Sequence, residues 1–529
     1  MKIESLPGLG APLCSMKFRG SKALVRLKIG SLLLLSAVAA TPAQAQWQEV
    51  ETAHFVIVSK SKPAEVARFA ERLEAYDKLM RMATNVADDG PVKVRIYEVE
   101  STDDIERALN LTDSGVAGFY NSNSLGPFAV TPTRVVDAGR YFTPALVLHH
   151  EYAHHFMLQY FPAVYPSWYI EGFAELIGSS KLMDDGRIGY GMPARHRGPD
   201  ILANWVPLEE LLTKDQVSNL DTYGQGWAVT HFLTFDSGRS AQLRRYLTDL
   251  GRGKSRKEAA AAFGDLAALN REARRYMSAG GFTYRPVKVD VAQPVIKRTR
   301  MLPEGEAQLI PQAIAYRDDS LASYRKEGSR AREASFRQRN LEAIREKAVR
   351  FPNDPFVQTL LAEAEYAFGN HAQSEAAADR LLGIDPANER AMVRKSILLS
   401  HGAAKLSGAA RTAQIVKARA LAAKANRANP DAPLPLLAYY QSFNLPGEKP
   451  AAVAVDGLMQ AASMLPRNSD VRQLLVDQLA RDRRFEEAIA WLAPTANSPH
   501  ASPLRDAARE QMAVLKARLA AAPAAKPAA

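Results

Sequence analysis

The stretch "HHEYAHHF" (residues 149–156) places four of the chain's ten histidines in seven positions around one glutamate. On a helix of 3.6 residues per turn, side chains four apart project from one face a turn apart, so two imidazoles at that spacing can share a cation. His150 and His154 have this spacing, whereas His149 and His155 have no histidine partner four residues away. Glu151 follows the first of the pair and points to the rim of the same face, where it can take a proton from water at the metal. The chemistry this arrangement suits is metal-assisted hydrolysis. His149 and His155 read as ordinary surface residues or outer contacts of the ligands.

These side chains need a helix beneath them and a third ligand beside them. Thr143 can cap a helix whose first residue is Pro144 and which runs to about Tyr160, before Pro162. His150-Glu151-x-x-His154 on that helix is the zinc-peptidase signature. A catalytic zinc held by two histidines takes one more protein ligand and keeps a position open for water. The continuation "HFM" after His154 lacks the Gly and His of the metzincins. Instead "PSWYIEGFAELIG" (166–178) predicts a second amphipathic helix with Ser167 as its cap, and Glu171 lies seventeen residues past His154. Glu171 and Glu175 are themselves four apart, so both can face the first helix. One can bind the ion while the other accepts the N–H of a ligand imidazole and fixes its orientation.

The two segments "HEYAH" and "WYIEGFAE" resemble the gluzincin metallopeptidases, most closely the peptidase MA-like branch, in which a His-Glu-x-x-His helix is followed by a Trp-x-x-Glu-Gly-x-Ala-Glu helix. The resemblance covers roughly residues 47–285, with the two metal helices as its specific part. It implies an α+β zincin-like domain, His150, His154 and Glu171 as zinc ligands, Glu151 as general base and Glu175 as the carboxylate behind the ligands. The interval between His154 and Glu171 is slightly shorter than in the aminopeptidase or thermolysin branches, which alters the loop between the helices.

In such a site water attacks an amide carbonyl, Glu151 moves the proton to the leaving nitrogen, and the oxyanion needs one further donor. The resemblance implies a Tyr or His from the downstream helical lobe. In "TYGQGWAVTHFL" the candidates are Tyr223, which we prefer, and His231. The resemblance also implies that the hairpin from "GVAGFY" to "GPFAVTP" supplies an edge strand along which an extended peptide can lie.

Around this centre the pattern alternates between strand and helix. "WQEVETAHFVIVS" (47–59) reads as strand. Val66, Phe69, Ala70, Leu73, Tyr76, Leu79 and Met80 recur at helical spacing. "PVKVRIYEVE" (91–100) reads as strand, with Ser101 or Thr102 capping the helix "DDIERALN". Beyond a basic helical connector (301–340), prolines at 352, 386, 430 and 466 are spaced 34, 44 and 36 apart, a helical-hairpin period. "FGNHAQSEAAADRLLGIDP" and "RRFEEAIAWLAP" resemble the second half of a tetratricopeptide (TPR) repeat, with Gly369 at the inter-helix turn and Ser374 where that family prefers Ala. The 44-residue unit carries about ten extra residues near "SHGAAKLSGAAR". An all-α TPR-like array over 341–519 would follow a peptidase-like domain over 46–300, with a low-complexity tail at 520–529.

Composition bounds the rest. With 529 residues, 47% apolar and 24% charged, the chain has the make-up of a soluble protein of several domains. Lys17, Arg19, Lys22, Arg26 and Lys28, then an apolar run to Ala40 and "AQA" at 43–45, form a secretory signal pattern with Met16 as a candidate start. An exported, periplasmic or secreted protein is expected, touching a membrane only through that segment if it stays uncleaved. The single cysteine, Cys14, precedes the cleavage site, so a metal site must use His and carboxylates. Residues 1–45 hold six Lys or Arg against Glu4, and their removal brings the formal charge from +11 to +6, too modest to indicate nucleic-acid binding. The composite expectation is an exported zinc (Zn2+) metallopeptidase with protein or peptide substrates and a partner on its repeats. The rival is a peptidase-like scaffold without activity that binds envelope proteins through the same repeats.

Overall fold

The computed structural model describes residues 46–87, 92–111, 114, 116–134, 143–161, 165–198, 201, 205–214, 223–317, 330–445, 447–498 and 502–521. The signal segment and most of the terminal tail lie outside these residues. The N-terminal half is built on a six-stranded mixed sheet and the C-terminal half on paired helices that stack like tetratricopeptide repeats.

The run read as one strand over 47–59 is two, β1 (Gln48–Glu51) and β2 (Phe55–Ser59), paired antiparallel. Thr52 breaks it: its Oγ1 accepts from the Phe55 amide, which closes a tight turn at Ala53-His54. Helix α1 (Pro63–Thr84) buries the seven apolar residues expected of it, each worth about 1.5–3 kcal/mol for its larger side chains. It leads into β3 (Val94–Ser101), which runs parallel to β2. Ser101 caps α2 (Thr102–Leu109) in a reciprocal bond with Asp104. The hairpin β4 (Phe119–Asn123) and β5 (Gly126–Arg134) follows, with β5 parallel to β3. Strand β9 (Arg298–Met301) pairs with β1 and closes the far side, giving the order β4-β5-β3-β2-β1-β9. A small second sheet joins β6 (Lys181–Leu182), β7 (Ile188–Tyr190) and β8 (Arg285–Val287).

Opposite faces of the sheet serve different purposes. One packs Phe55, Ile57, Val94 and Ile96 against α1 and against the helices α3 (Pro144–Tyr160) and α4 (Ser167–Gly178). The other packs Val58, Tyr97, Phe128 and Val130 against α2 and against Ile310 and Ile314, which lie in the stretch read as a connector. Ala313 of that helix, Ile310–Arg317, and Leu309 just before it turn to the repeats.

The array runs from helix Arg330–Arg350 to helix Pro503–Ala521. In its pair Pro355–Ala367 and His371–Ile384, Gly369 takes φ +76 in the turn. In the pair Ser469–Arg481 and Phe485–Ala496, Arg483 takes φ +59 in the corresponding turn. Ser374 is buried because its hydroxyl donates to Ala362 O on the facing helix at 2.7 Å. The extra residues of the longer unit extend its second helix, Gly408–Ala428, to 21 residues. Stacked helix pairs of this kind form extended surfaces suited to protein contact. Among the described residues no helix is long and apolar enough to cross a membrane.

Candidate metal centre

Thr143 caps α3 as expected, its Oγ1 accepting from the Leu146 amide at 3.2 Å with Pro144 in the first turn. Helix α4 begins one residue earlier than a Ser167 cap would require. Pro166 occupies the cap position with an extended backbone (φ −69, ψ 150), and Ser167 is the first helical residue. The helices meet closely because Gly178 has no side chain: a Cβ there would lie 3.2 Å from Leu146 O and 3.4 Å from His150 Cβ. On its other side α4 is held against helix Gly224–Phe235 by two facing glycines. A Cβ on Gly172 would sit 2.3 Å from Gly226 O, and one on Gly226 would sit 2.6 Å from Trp168 O.

This packing brings His150, His154 and Glu171 together, all buried. His150 Nε2 and His154 Nε2 are 3.1 Å apart, and each is 3.4 Å from Glu171 Oε2. Tetrahedral zinc with bonds of about 2.0–2.1 Å separates its ligand atoms by about 3.4 Å. The three atoms therefore form nearly one face of such a coordination shell. Two imidazole nitrogens and a carboxylate oxygen, without sulfur, also match zinc's catalytic donor sets. Of the two carboxylates on α4, Glu171 is the one in the triangle.

Glu175 lies behind it. Its Oε1 is 3.6 Å from His150 Nδ1, while Arg197 donates to the same oxygen from Nε at 2.9 Å and Nη2 at 2.7 Å, and His196 Nε2 stands 2.6 Å from Oε2. Burial alone would raise the Glu175 pKa, but Arg197, His196 and His150 outweigh it and hold it at about 2. Sequence reasoning missed His196 and Arg197. They sit in a short 3-10 turn with no periodicity to mark them.

No protein-family model matches the chain, and no curated protein matches it. Among solved structures it is similar to a thermophilic TPR protein of Thermus thermophilus, at 19% identity and TM-score 0.29 over 36% of this chain and 95% of that one. It is also similar to yeast Tom70, at 11% identity and TM-score 0.25 over 70% of this chain and 69% of that one. Likenesses this loose carry no argument, and the repeat architecture rests on the helix pairs themselves.

Glu151, the residue after His150, is buried, and Arg467, from the turn between two repeats, donates to its Oε2 at 3.0 Å. Tyr223 stands at the start of helix Gly224–Phe235 with its ring stacked toward His150, centroids 6.2 Å apart and planes 24° apart. The Arg197 guanidinium lies 4.6 Å from the Tyr223 ring centre. His231 is used differently: its Nε2 is 2.8 Å from Gly191 O and its Nδ1 2.8 Å from the Tyr276 hydroxyl, amid Trp227, Phe235 and Phe282. Burial pushes its pKa down to about 4, as suits a neutral core imidazole.

Neither remaining histidine is on the surface. His149 stacks on Tyr76 at 3.5 Å, and His155 Nδ1 is 2.7 Å from the Tyr120 hydroxyl. Burial pushes both down to about 3. They pack α3 against α1 and β4 because residues flanking the metal face point toward the sheet. A further buried cluster, His54, Glu74 and Asp77, also has metal-like spacing. Its charges are met within the protein: His54 Nδ1 is 2.7 Å from Glu74, and Asp77 accepts from Arg81 and from the Tyr152 hydroxyl of α3 at 2.6 and 2.7 Å. This network anchors α3 to α1 from behind.

Proposed function

We propose that the chain is an exported zinc metallopeptidase of the gluzincin type that hydrolyses peptide bonds and uses its helical repeats to engage a substrate or partner protein. The reading rests on one observation above all, the triangle of His150 Nε2, His154 Nε2 and Glu171 Oε2, with Glu151 next to His150 in the chain. A zinc ion held by those three residues would supply Lewis acidity toward a peptide carbonyl and acidify the attacking water.

The remaining work falls to the chain itself. Glu151 accepts the proton of the attacking water and returns it to the leaving nitrogen. Tyr223 donates its hydroxyl to the developing oxyanion. Glu175 holds the His150 ring in the orientation that keeps Nε2 facing Glu171, and is itself fixed by His196 and Arg197. Strand β4 ends the sheet beside α3, and an extended peptide that reaches the centre would run along it where the repeat turn leaves room. The segment 16–45 supports export to a periplasm-like compartment.

The test is metal analysis and turnover of the mature protein. Purified chain should carry about one zinc ion, lost in His154→Ala, and should cleave fluorescein-labelled casein in a chelator-sensitive manner that Glu151→Gln abolishes. Zinc-free protein, or cleavage indifferent to both chelator and substitution, would refute the reading. Partner capture by the repeats without any cleavage would establish the scaffold instead.

A further inference from the structure

The repeat array reaches the metal centre. The end of helix Ala452–Met464 and the turn at 465–468 that joins it to helix Ser469–Arg481 lie against α3 and the edge strand β4. Three contacts fix it there. Gln159 of α3 donates to Ser463 O at 3.0 Å, Asn468 Nδ2 donates to Ser122 O of β4 at 3.2 Å, and Arg467 Nη1 donates to Glu151 Oε2 at 3.0 Å. The Arg467 guanidinium also lies 4.9 Å from the ring centre of Tyr120.

The turn is also held by contacts internal to the repeats. Asn468 caps the following helix by accepting from the Val471 amide at 2.8 Å, so its side-chain oxygen serves the array and its nitrogen the edge strand. The buried Arg472 donates to Pro466 O from behind. Tyr120, beneath the guanidinium, is held through its hydroxyl by His155, next to the ligand His154. Arg467 therefore comes to Glu151 on a fixed backbone, over a fixed ring. Both partners are largely buried, with side-chain exposures of 16% for Arg467 and 3% for Glu151.

We propose that Arg467 is a positioning residue for Glu151, so that the repeat array completes the hydrolytic site in cis. The inference rests on the peptidase reading above. A guanidinium bonded to one carboxylate oxygen stops the carboxylate rotating and reserves the other oxygen for proton transfer. Without it Glu151 is a buried charge that has lost its cation and is free to turn away from the reacting water. The repeats are then a wall of the active site as well as a surface for partners.

The experiment compares wild type, Glu151→Gln, Arg467→Ala and Arg467→Lys as full chains, with zinc content and steady-state turnover of fluorescein-labelled casein. Arg467→Ala should keep its zinc and lose kcat by about 100-fold, with KM within about threefold of wild type, because misplacing a reacting group costs turnover more than binding. Arg467→Lys, which keeps the charge on a flexible stem, should recover part of that kcat. Full activity in Arg467→Ala would overturn the proposal, and a kcat above wild type would show that the contact inhibits. If the alanine variant fails to fold, the lysine variant decides, with a kcat equal to wild type or raised overturning the proposal. A wild-type chain without chelator-sensitive cleavage brings down the peptidase reading and this role together, whereas an active wild type with an indifferent Arg467 brings down this role alone.

Discussion

Glu175 stands between His150 and Arg197: one carboxylate oxygen is 3.6 Å from the imidazole Nδ1 and 2.7 Å from the guanidinium. A carboxylate behind a metal-binding imidazole helps to orient the ring, and such partners are commonly worth 10–100-fold in metal affinity. Glu175→Gln should therefore weaken zinc binding by about that factor while leaving the helical content intact. Competition with a chromogenic chelator measures it, and an unchanged zinc affinity would remove Glu175 from the site.

Gly172 should tolerate no side chain. A Cβ would meet Thr230 Oγ1 at 2.2 Å and Gly226 O at 2.3 Å, and because the second is backbone, rotating Thr230 cannot relieve the clash. Gly172→Ala should cost about 1–3 kcal/mol, the usual range for overpacking, and should loosen zinc because Glu171 is the preceding residue. Denaturant unfolding and zinc titration report the two effects separately.

Tyr223 and His231 can be told apart by kinetics. Tyr223→Phe keeps the ring stacked toward His150 and removes only the hydroxyl, so kcat should fall by about 10²–10³-fold with zinc retained. Replacing His231 by Asn should act on stability, since both its ring nitrogens are engaged with Gly191 and Tyr276. Equal kcat for Tyr223→Phe and wild type would exclude the hydroxyl as the oxyanion donor.

Acid should weaken the sheet through Glu49. Burial alone would raise its pKa, but bonds from Arg300 and Arg95 at 2.8 and 2.9 Å hold it at about 2, against 4.5 for an unperturbed glutamate. A carboxyl depressed by folding contributes stability that is complete above pH 4.5 and is lost as pH falls toward 2. That contribution is at most about 3 kcal/mol. The stability difference between wild type and Glu49→Gln should thus shrink across that interval, as thermal unfolding at several pH values will show. A difference independent of pH would assign Glu49 a packing role only.

Local spacing made much of the centre legible. The interval of four between His150 and His154 fixes a shared face on any helix, Thr143-Pro144 marks where that helix starts, and the proline period announces stacked helix pairs. Those features depend on residues within a few turns of one another. The same limit explains the errors. Ser167 carries a capping side chain, yet Pro166 takes the cap, because the entry of the chain into α4 depends on how α4 packs. His149 and His155 look like polar surface residues, but α3 is enclosed on several sides and they are buried.

The sequence by itself determined which atoms could grip an ion and in what order the strands, metal helices and repeats would come. Only the tertiary structure decided that Glu171 and not Glu175 stands with the two imidazoles, that Arg197 and His196 stand behind Glu175, and that Arg467, 316 residues after Glu151, stands beside it. A helix repeats every 3.6 residues and so writes its faces into the sequence, but a contact between distant segments leaves no period to read. It exists only once the cores have fixed where each backbone lies.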